Sequence, residues 1–164
     1  MQLVVADAGP LIAFAVADIL ALVLKQFELC VPQAVLEECL ADPYAPGARL
    51  ILEVSSGAGL IIISENAVKT LDSAYSMGLG SGEVAVLSYA LQENQIALVD
   101  ERRARRVASK LGVAVAGSGA VLLALKKSGA VASIRPALAA WAAHGYFLSA
   151  ALQKQLLVAA NEAG

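Results

Sequence analysis

Short apolar runs alternate along the chain with longer stretches of mixed polarity. "LVVA" at 3–6, "ELCV" at 28–31, "LIIIS" at 60–64, "IALV" at 96–99 and "VAVA" at 113–116 are mostly aliphatic, and each predicts a strand. Helices are predicted between them. Pro10 suits the first turn of a helix running to about Phe27, and Pro32 opens another through "QAVLEECLA" that "DPYAPG" ends. Further helices are expected at about 48–56, 66–76, 82–93 with Ser81 as cap, 101–110, 120–127, 136–144 and 149–160. Five short strands separated by helices predict an α/β fold whose central, mostly parallel five-stranded sheet is covered on both faces.

Composition narrows the picture. The 164 residues contain no linker longer than a turn, so one domain over 1–164 is expected. Hydrophobic residues make up 59% and charged residues 16%, against roughly 25% charged in an average soluble domain. So few charges coat a surface thinly, which predicts that part of it meets another subunit, as in a homodimer. The apolar stretch 8–24 is interrupted by Asp18 and falls short of a membrane span, so a buried helix and no membrane partner are expected. Cys30 and Cys39 have no metal-binding spacing and read as reduced core thiols. With no basic n-region at the N-terminus, a cytoplasmic location is expected.

Chemistry enters with the acids. Ligands of open α/β sheets bind beyond the carboxyl ends of the strands. Asp7 follows the first predicted strand, Asp100 follows the fourth, Glu83 lies in the first turn of the helix before the fourth, and Glu38 lies in the helix after the second. Each has a local explanation too: an Asx-turn at "DAGP" for Asp7, helix-dipole pairing for Glu83, an N-cap for Asp100, a solvated face for Glu38 beside Glu37. If the first and fourth strands are neighbours, however, the acids converge. Converging carboxylates repel unless a cation sits among them, and an oxygen-only set suits Mg²⁺ or Mn²⁺.

Other chemistries are poorly supplied. The one histidine, His144, stands beside Gly145 in a helix-end context, and the sequence has no GxxxxGK[ST]. "GSG" at 117–119 reads as a tight strand-to-helix turn. "RRARR" at 102–106 places Ala104, Val107, Ala108 and Leu111 on an apolar stripe flanked by Arg103 and Arg105. These arginines read either as a solvated face or as phosphate contacts, with Arg102 and Arg105 the foremost candidates and Lys126, Lys127 and Arg135 further ones. Only 5% of residues are aromatic, so substrate holding should rest on phosphates more than on base stacking.

Five segments in order, "VVADAGPLIAF" at 4–14, "VPQAVLEECL" at 31–40, "LGSGEVAVLSYAL" at 79–91, "LVDERRARRVASKLGV" at 98–113 and "AGSGAVLLALKKSGAV" at 116–131, resemble the PIN-domain nucleases. The group in question is related to the toxins of toxin–antitoxin pairs. The resemblance implies a three-layer α/β/α sandwich and a metal-dependent endoribonuclease cleaving single-stranded RNA. It also implies a small antitoxin as partner. Asp7, Glu38, Glu83 and Asp100 match the family's acids, with Glu37 as fallback for Glu38. Glu101 stands where a second Asp often follows, and its longer side chain can reach a metal. Two other readings stay open: a non-catalytic PIN-like binding module, and a phosphotransfer or receiver-like domain. Against the latter, "AGP" follows Asp7 and no lysine ends the fifth strand.

Overall fold

Strand residues buried in consecutive runs have both faces covered, and this is the pattern along the sheet. Val4, Val5 and Ala6, then Leu29, Cys30 and Val31, then Ala97, Leu98 and Val99 are all buried. The computed structural model describes residues 1–57 and 59–163. The elements are β1 (Gln2–Ala6), α1 (Ala8–Val16), α2 (Leu20–Gln26), β2 (Phe27–Pro32), α3 (Gln33–Leu40), α4 (Ala48–Ser56), β3 (Ile61–Ile63) and α5 (Ser73–Ser76). There follow α6 (Ser81–Glu93), β4 (Ile96–Leu98), α7 (Arg102–Leu111), β5 (Val115–Ala116), α8 (Ser118–Lys127), α9 (Arg135–Ala143) and α10 (Ala150–Ala159).

The five strands pair in the order β3-β2-β1-β4-β5. All four pairings are parallel, with Val4 opposite Leu29, Val5 opposite Ala97, Val31 opposite Ile62 and Leu98 opposite Ala116. Helix α6 packs on β1, β2 and β4 with α7 beside it, while α1, α2, α8 and α9 pack among themselves. The expected covered parallel sheet is therefore present, and the β1–β4 neighbourhood that the acids require is real. The order also differs from the 2-1-3-4-5 arrangement of receiver-type folds, which removes the receiver-like reading.

The sequence predicts one helix from Pro10 to about Phe27; the chain forms two, bent by 118°. The cause is Asp18, which adopts the left-handed conformation at φ 56. Its N–H donates to Ala15 O at 3.1 Å and the Ile19 N–H to Phe14 O at 3.0 Å, the pair of bonds that closes a helix through a left-handed residue. Aspartate tolerates that conformation better than most side chains. The bend turns Ile19, Leu20 and Val23 into the core. Among the described residues no single helix is long and apolar enough to cross a membrane.

The helix expected over 66–76 is also broken. A 3-10 turn at Glu65–Ala67 leads into extended chain, and only α5 is α-helical. Val68 and Thr70 are β-branched, and Gln92 of α6 offers this segment partners that a helix would have supplied. Gln92 accepts from Lys69 N–H at 3.1 Å and donates to Ala67 O at 2.9 Å. Asp72 then starts α5 by accepting from Ala74 N–H at 2.9 Å. Pro32 both ends β2 and opens α3 as its N-cap, whereas α6 begins at Ser81 with Gly80, not Ser81, as its cap.

Replacing Asp18 by Gly is expected to keep stability or raise it by up to about 1 kcal/mol in urea unfolding, because glycine enters the left-handed region freely. A continuous helix through residue 18 would instead lose about 1 kcal/mol.

Candidate functional site

The strand order reverses beside β1, and the crevice past the carboxyl ends of β1 and β4 is where such sheets bind ligands. Asp7 stands at that point. Its backbone N–H donates to Leu98 O at 3.0 Å, which extends the β1–β4 pairing by one residue. Asp7 occupies the N-cap of α1, yet its carboxylate makes no side-chain cap bond. The side chain is only 7% exposed. Neither a local turn nor a cap accounts for a buried carboxylate held this way.

Three other acids share the cleft with it. A depression of about 440 Å³ is lined by Asp7, Ala8, Gly9, Glu38, Gly80, Ser81, Gly82, Glu83 and Glu101. Glu38 lines it from α3, whereas Glu37, exposed like Glu38, is not part of the lining and accepts from Gln33 Nε2 at 3.4 Å. Glu83 gives Oε1 to the Gly80 N–H at 3.0 Å, while its Oε2 is buried with no hydrogen-bond partner. Gly82 keeps the space open: a Cβ there would stand 3.0 Å from Glu38 Oε2 and 3.8 Å from Asp7 Oδ1.

Electrostatics follow from this packing. Burial pushes the Asp7 carboxyl up to about 6 from its usual 3.8, the neighbouring Ala8 amide opposes the rise, and Glu83, Glu38 and Asp100 add to it. Burial likewise raises Asp100, against hydrogen bonds from Ser118 and the charge of Arg105. Cys39, under the same acids, is pushed up to about 12 chiefly by burial, so its thiol stays protonated at neutral pH. Cys30 and Cys39 are both free and buried.

Asp100 is not among the residues lining the cleft but stands at its edge, near enough for its charge to act on Asp7. Its Oδ1 accepts from Ser118 N–H at 2.9 Å, and its Oδ2 meets the hydroxyls of Ser118 and Tyr146. Nor does it cap α7: Glu101 is the N-cap, accepting from Arg103 N–H at 3.5 Å. Among the described residues no three His, Cys, Asp or Glu side chains form a ready-made metal cage. Hydrogen bonds hold one oxygen of Glu83 at the Gly80 N–H and both oxygens of Asp100 at Ser118 and Tyr146. The donors nonetheless fit a hard divalent ion. They are oxygens only, one of them is an orphaned buried carboxylate oxygen, and a residue without a side chain leaves room between two others.

Sequence reasoning missed Ser118 and Tyr146. "GSG" gave the turn that starts α8, but nothing local marks Tyr146 as a neighbour of Asp100. Among the basic residues, Arg103 is committed to Gly78 O at 2.8 Å, whereas Arg102 and Arg105 are exposed. Arg105 lies beside Asp100, since a Cβ on Gly117 would be 2.9 Å from Asp100 Oδ1 and 3.1 Å from Arg105 Nη1. Lys126 and Arg135 do not join them. Lys126 donates to Ala132 O at 2.6 Å and Glu162 Oε2 at 3.3 Å, and Arg135 Nε lies 4.0 Å from Glu162 Oε1. They fasten the end of the chain, and Lys127 is at the same far end of α8 from Ser118. His144 is the exposed C-cap of α9.

A family model described as PIN domain matches residues 3–162. No curated protein matches the chain. Among solved structures it is similar to that of VapBC2 from Rickettsia felis bound to a DNA fragment from their promoter. The two are 13% identical, with 71% of this chain and 98% of that one covered at a TM-score of 0.47.

Because the folded pKa of Asp7 lies above its unfolded value, the native state holds this proton more tightly. Stability from this group is therefore greatest below about pH 4 and falls by about 3 kcal/mol as pH rises past 6. In chelator-treated protein, Asp7→Asn is expected to be more stable than wild type at about pH 8 by roughly 1–3 kcal/mol. That gain should shrink toward zero near about pH 4 in urea titrations. An Asn variant less stable than wild type at the higher pH would show that the carboxylate is not under strain.

Proposed function

The chain belongs to the PIN-domain family, and from that premise we propose that it is a metal-dependent endoribonuclease, the toxin of a toxin–antitoxin pair, acting on single-stranded RNA. The observation that carries this reading is the buried Asp7 carboxylate at the strand-order reversal, raised by burial and by the charges of Glu83 and Glu38. A bound cation would add to what the Ala8 amide supplies in stabilising such a group.

Asp7, Glu38 and Glu83, with Asp100 and Glu101 flanking them, are the residues that would hold one or two Mg²⁺ or Mn²⁺ ions. When bound, a divalent ion supplies Lewis acidity that lowers the pKa of water and offsets charge on a phosphoryl group. Histidine has no place in this scheme, since His144 caps α9. One carboxylate oxygen each of Glu38 and Asp7 borders the space left by Gly82. Gly80 fixes one oxygen of Glu83 and leaves the other buried without a partner. Arg105 beside Asp100, with Arg102 a turn away, offers guanidinium groups to the phosphates on either side of the scissile bond. Few aromatics line the cleft, which suits backbone contacts over base stacking.

A small antitoxin that places a basic side chain among these acids is the proposed partner. Exposed apolar side chains, Tyr44 at 95%, Met77 at 81% and Phe147 at 81%, support an assembled state, and a homodimer is the proposed one. The reduced, buried thiols suit a cytoplasmic protein. A second reading, a PIN-fold binding module without cleavage, draws on one observation: Asp100 is turned to Ser118 and Tyr146.

Wild-type protein is expected to cut single-stranded RNA only with Mn²⁺ or Mg²⁺, and Asp7→Asn to lose at least about 100-fold, more than the loss of a residue that merely supports a ligand. Equal cleavage by both proteins would overturn the nuclease. Mn²⁺ should also raise the melting temperature of wild type and not of Asp7→Asn; about 2.7 kcal/mol of stabilisation is expected at 100 times the dissociation constant. Stabilisation by Mn²⁺ without any cleavage would favour the binding module.

A further inference from the structure

Tyr146 is brought to the sheet end by the way α9 terminates. Gly145 takes φ +75, its N–H donates to Ala142 O at 3.3 Å, and the Tyr146 N–H donates to Trp141 O at 2.8 Å. A glycine in that conformation closes the helix, and an apolar contact between the flanking residues accompanies the closure. Here the contact is between aromatic rings, with the Tyr146 and Trp141 centroids 5.5 Å apart at 54°. Trp141 is 1% exposed, and its indole N–H donates to Ala13 O of α1 at 2.8 Å. The tyrosine ring is thus anchored to the core through the tryptophan, and only its hydroxyl is left to choose a partner.

That hydroxyl meets the Asp100 carboxylate and lies 2.9 Å from Ser118 Oγ. Ser118 holds the same carboxylate from the other side through its N–H and its hydroxyl. A carboxylate offers about four lone-pair positions. One here is fixed by a main-chain amide and two face hydroxyls, which leaves Asp100 little rotational freedom and one free position on Oδ1. The partners are far apart in sequence, 46 residues for Tyr146 and 18 for Ser118, so the clamp exists only when α9 is docked on α1.

We infer that Tyr146 is a positioning residue: its hydroxyl, carried on the α9 terminus, sets the orientation of Asp100 at the edge of the acid cleft, where the end of β4 lies beside Asp7. The inference rests on the reading of that cleft as a divalent-cation site. Partners that orient a metal-binding carboxylate are worth about 10- to 100-fold in metal affinity. Through Tyr146 the C-terminal helices therefore support the affinity of a cleft to which they contribute no lining residue.

The test combines Mn²⁺ calorimetry with carbon NMR of metal-free protein labelled at the tyrosine Cζ, the Tyr146 signal being the one that Tyr146→Phe removes. Tyr146→Phe keeps the ring on Trp141, so its melting temperature should stay within a few degrees of wild type. It should bind Mn²⁺ about 10-fold more weakly. Phe147→Ala, which truncates the exposed next residue, should bind as wild type does. Asp100→Asn should shift the Tyr146 Cζ resonance. Equal or tighter Mn²⁺ binding by Tyr146→Phe overturns the positioning role while leaving the cation site standing, as does a Cζ resonance indifferent to Asp100→Asn. Wild type that binds no Mn²⁺ removes the cation site itself, and the positioning role with it.

Discussion

Like charge held away from water is the constraint around which this molecule is arranged. A carboxylate at the end of β1 is expensive to bury and more so with Glu38 and Glu83 close by, yet the backbone leaves Asp7 nowhere else to go. Its N–H is tied to β4 and its residue begins α1. The fold carries this local cost because the remainder is well packed: Leu11, Phe14, Leu20, Leu98, Leu122 and Trp141 are fully or almost fully buried. A locally unfavourable group supported by a sound core is a common mark of a functional site.

The surrounding architecture concentrates the charge without letting it collapse into internal pairs. No arginine or lysine forms a salt bridge with Asp7, Glu38 or Glu83 among the described residues. On α7, Arg103 is occupied by Gly78 and Arg105 sits on the Asp100 side. Acids line the cleft, and the α7 arginines lie outside its lining. Such a division suits a phosphodiester, whose backbone charge seeks arginines while its reacting centre needs a cation.

Most of the sheet was legible in the sequence because it depends on short-range signals, whereas the meeting of three acids was legible only on the condition that β1 and β4 pair. Aliphatic runs marked the strands, and Asp7, Glu38 and Glu83 each stood at a strand end or on a helix beside one. What escaped depends on contacts between distant segments. Asp18 lies in an apolar stretch that continues on both sides of it, so the bend shows only in its left-handed backbone. The 65–76 segment departs from helix because Gln92 holds it. Asp100 was found at the end of β4, but its turn toward Ser118 and Tyr146 is decided by α8 and by the α9 terminus, which no local pattern encodes.

The most direct examination of the central claim is anomalous scattering from crystals equilibrated with Mn²⁺. A peak bounded by carboxylate oxygens of Asp7, Glu38 and Glu83, at about 2.0–2.2 Å from the nearest of them, is the outcome anticipated for hard-cation ligation. Crystals that diffract well and bind the ion elsewhere, or not at all, while those three acids keep their positions, would show that the gathered charge serves some purpose other than holding a metal.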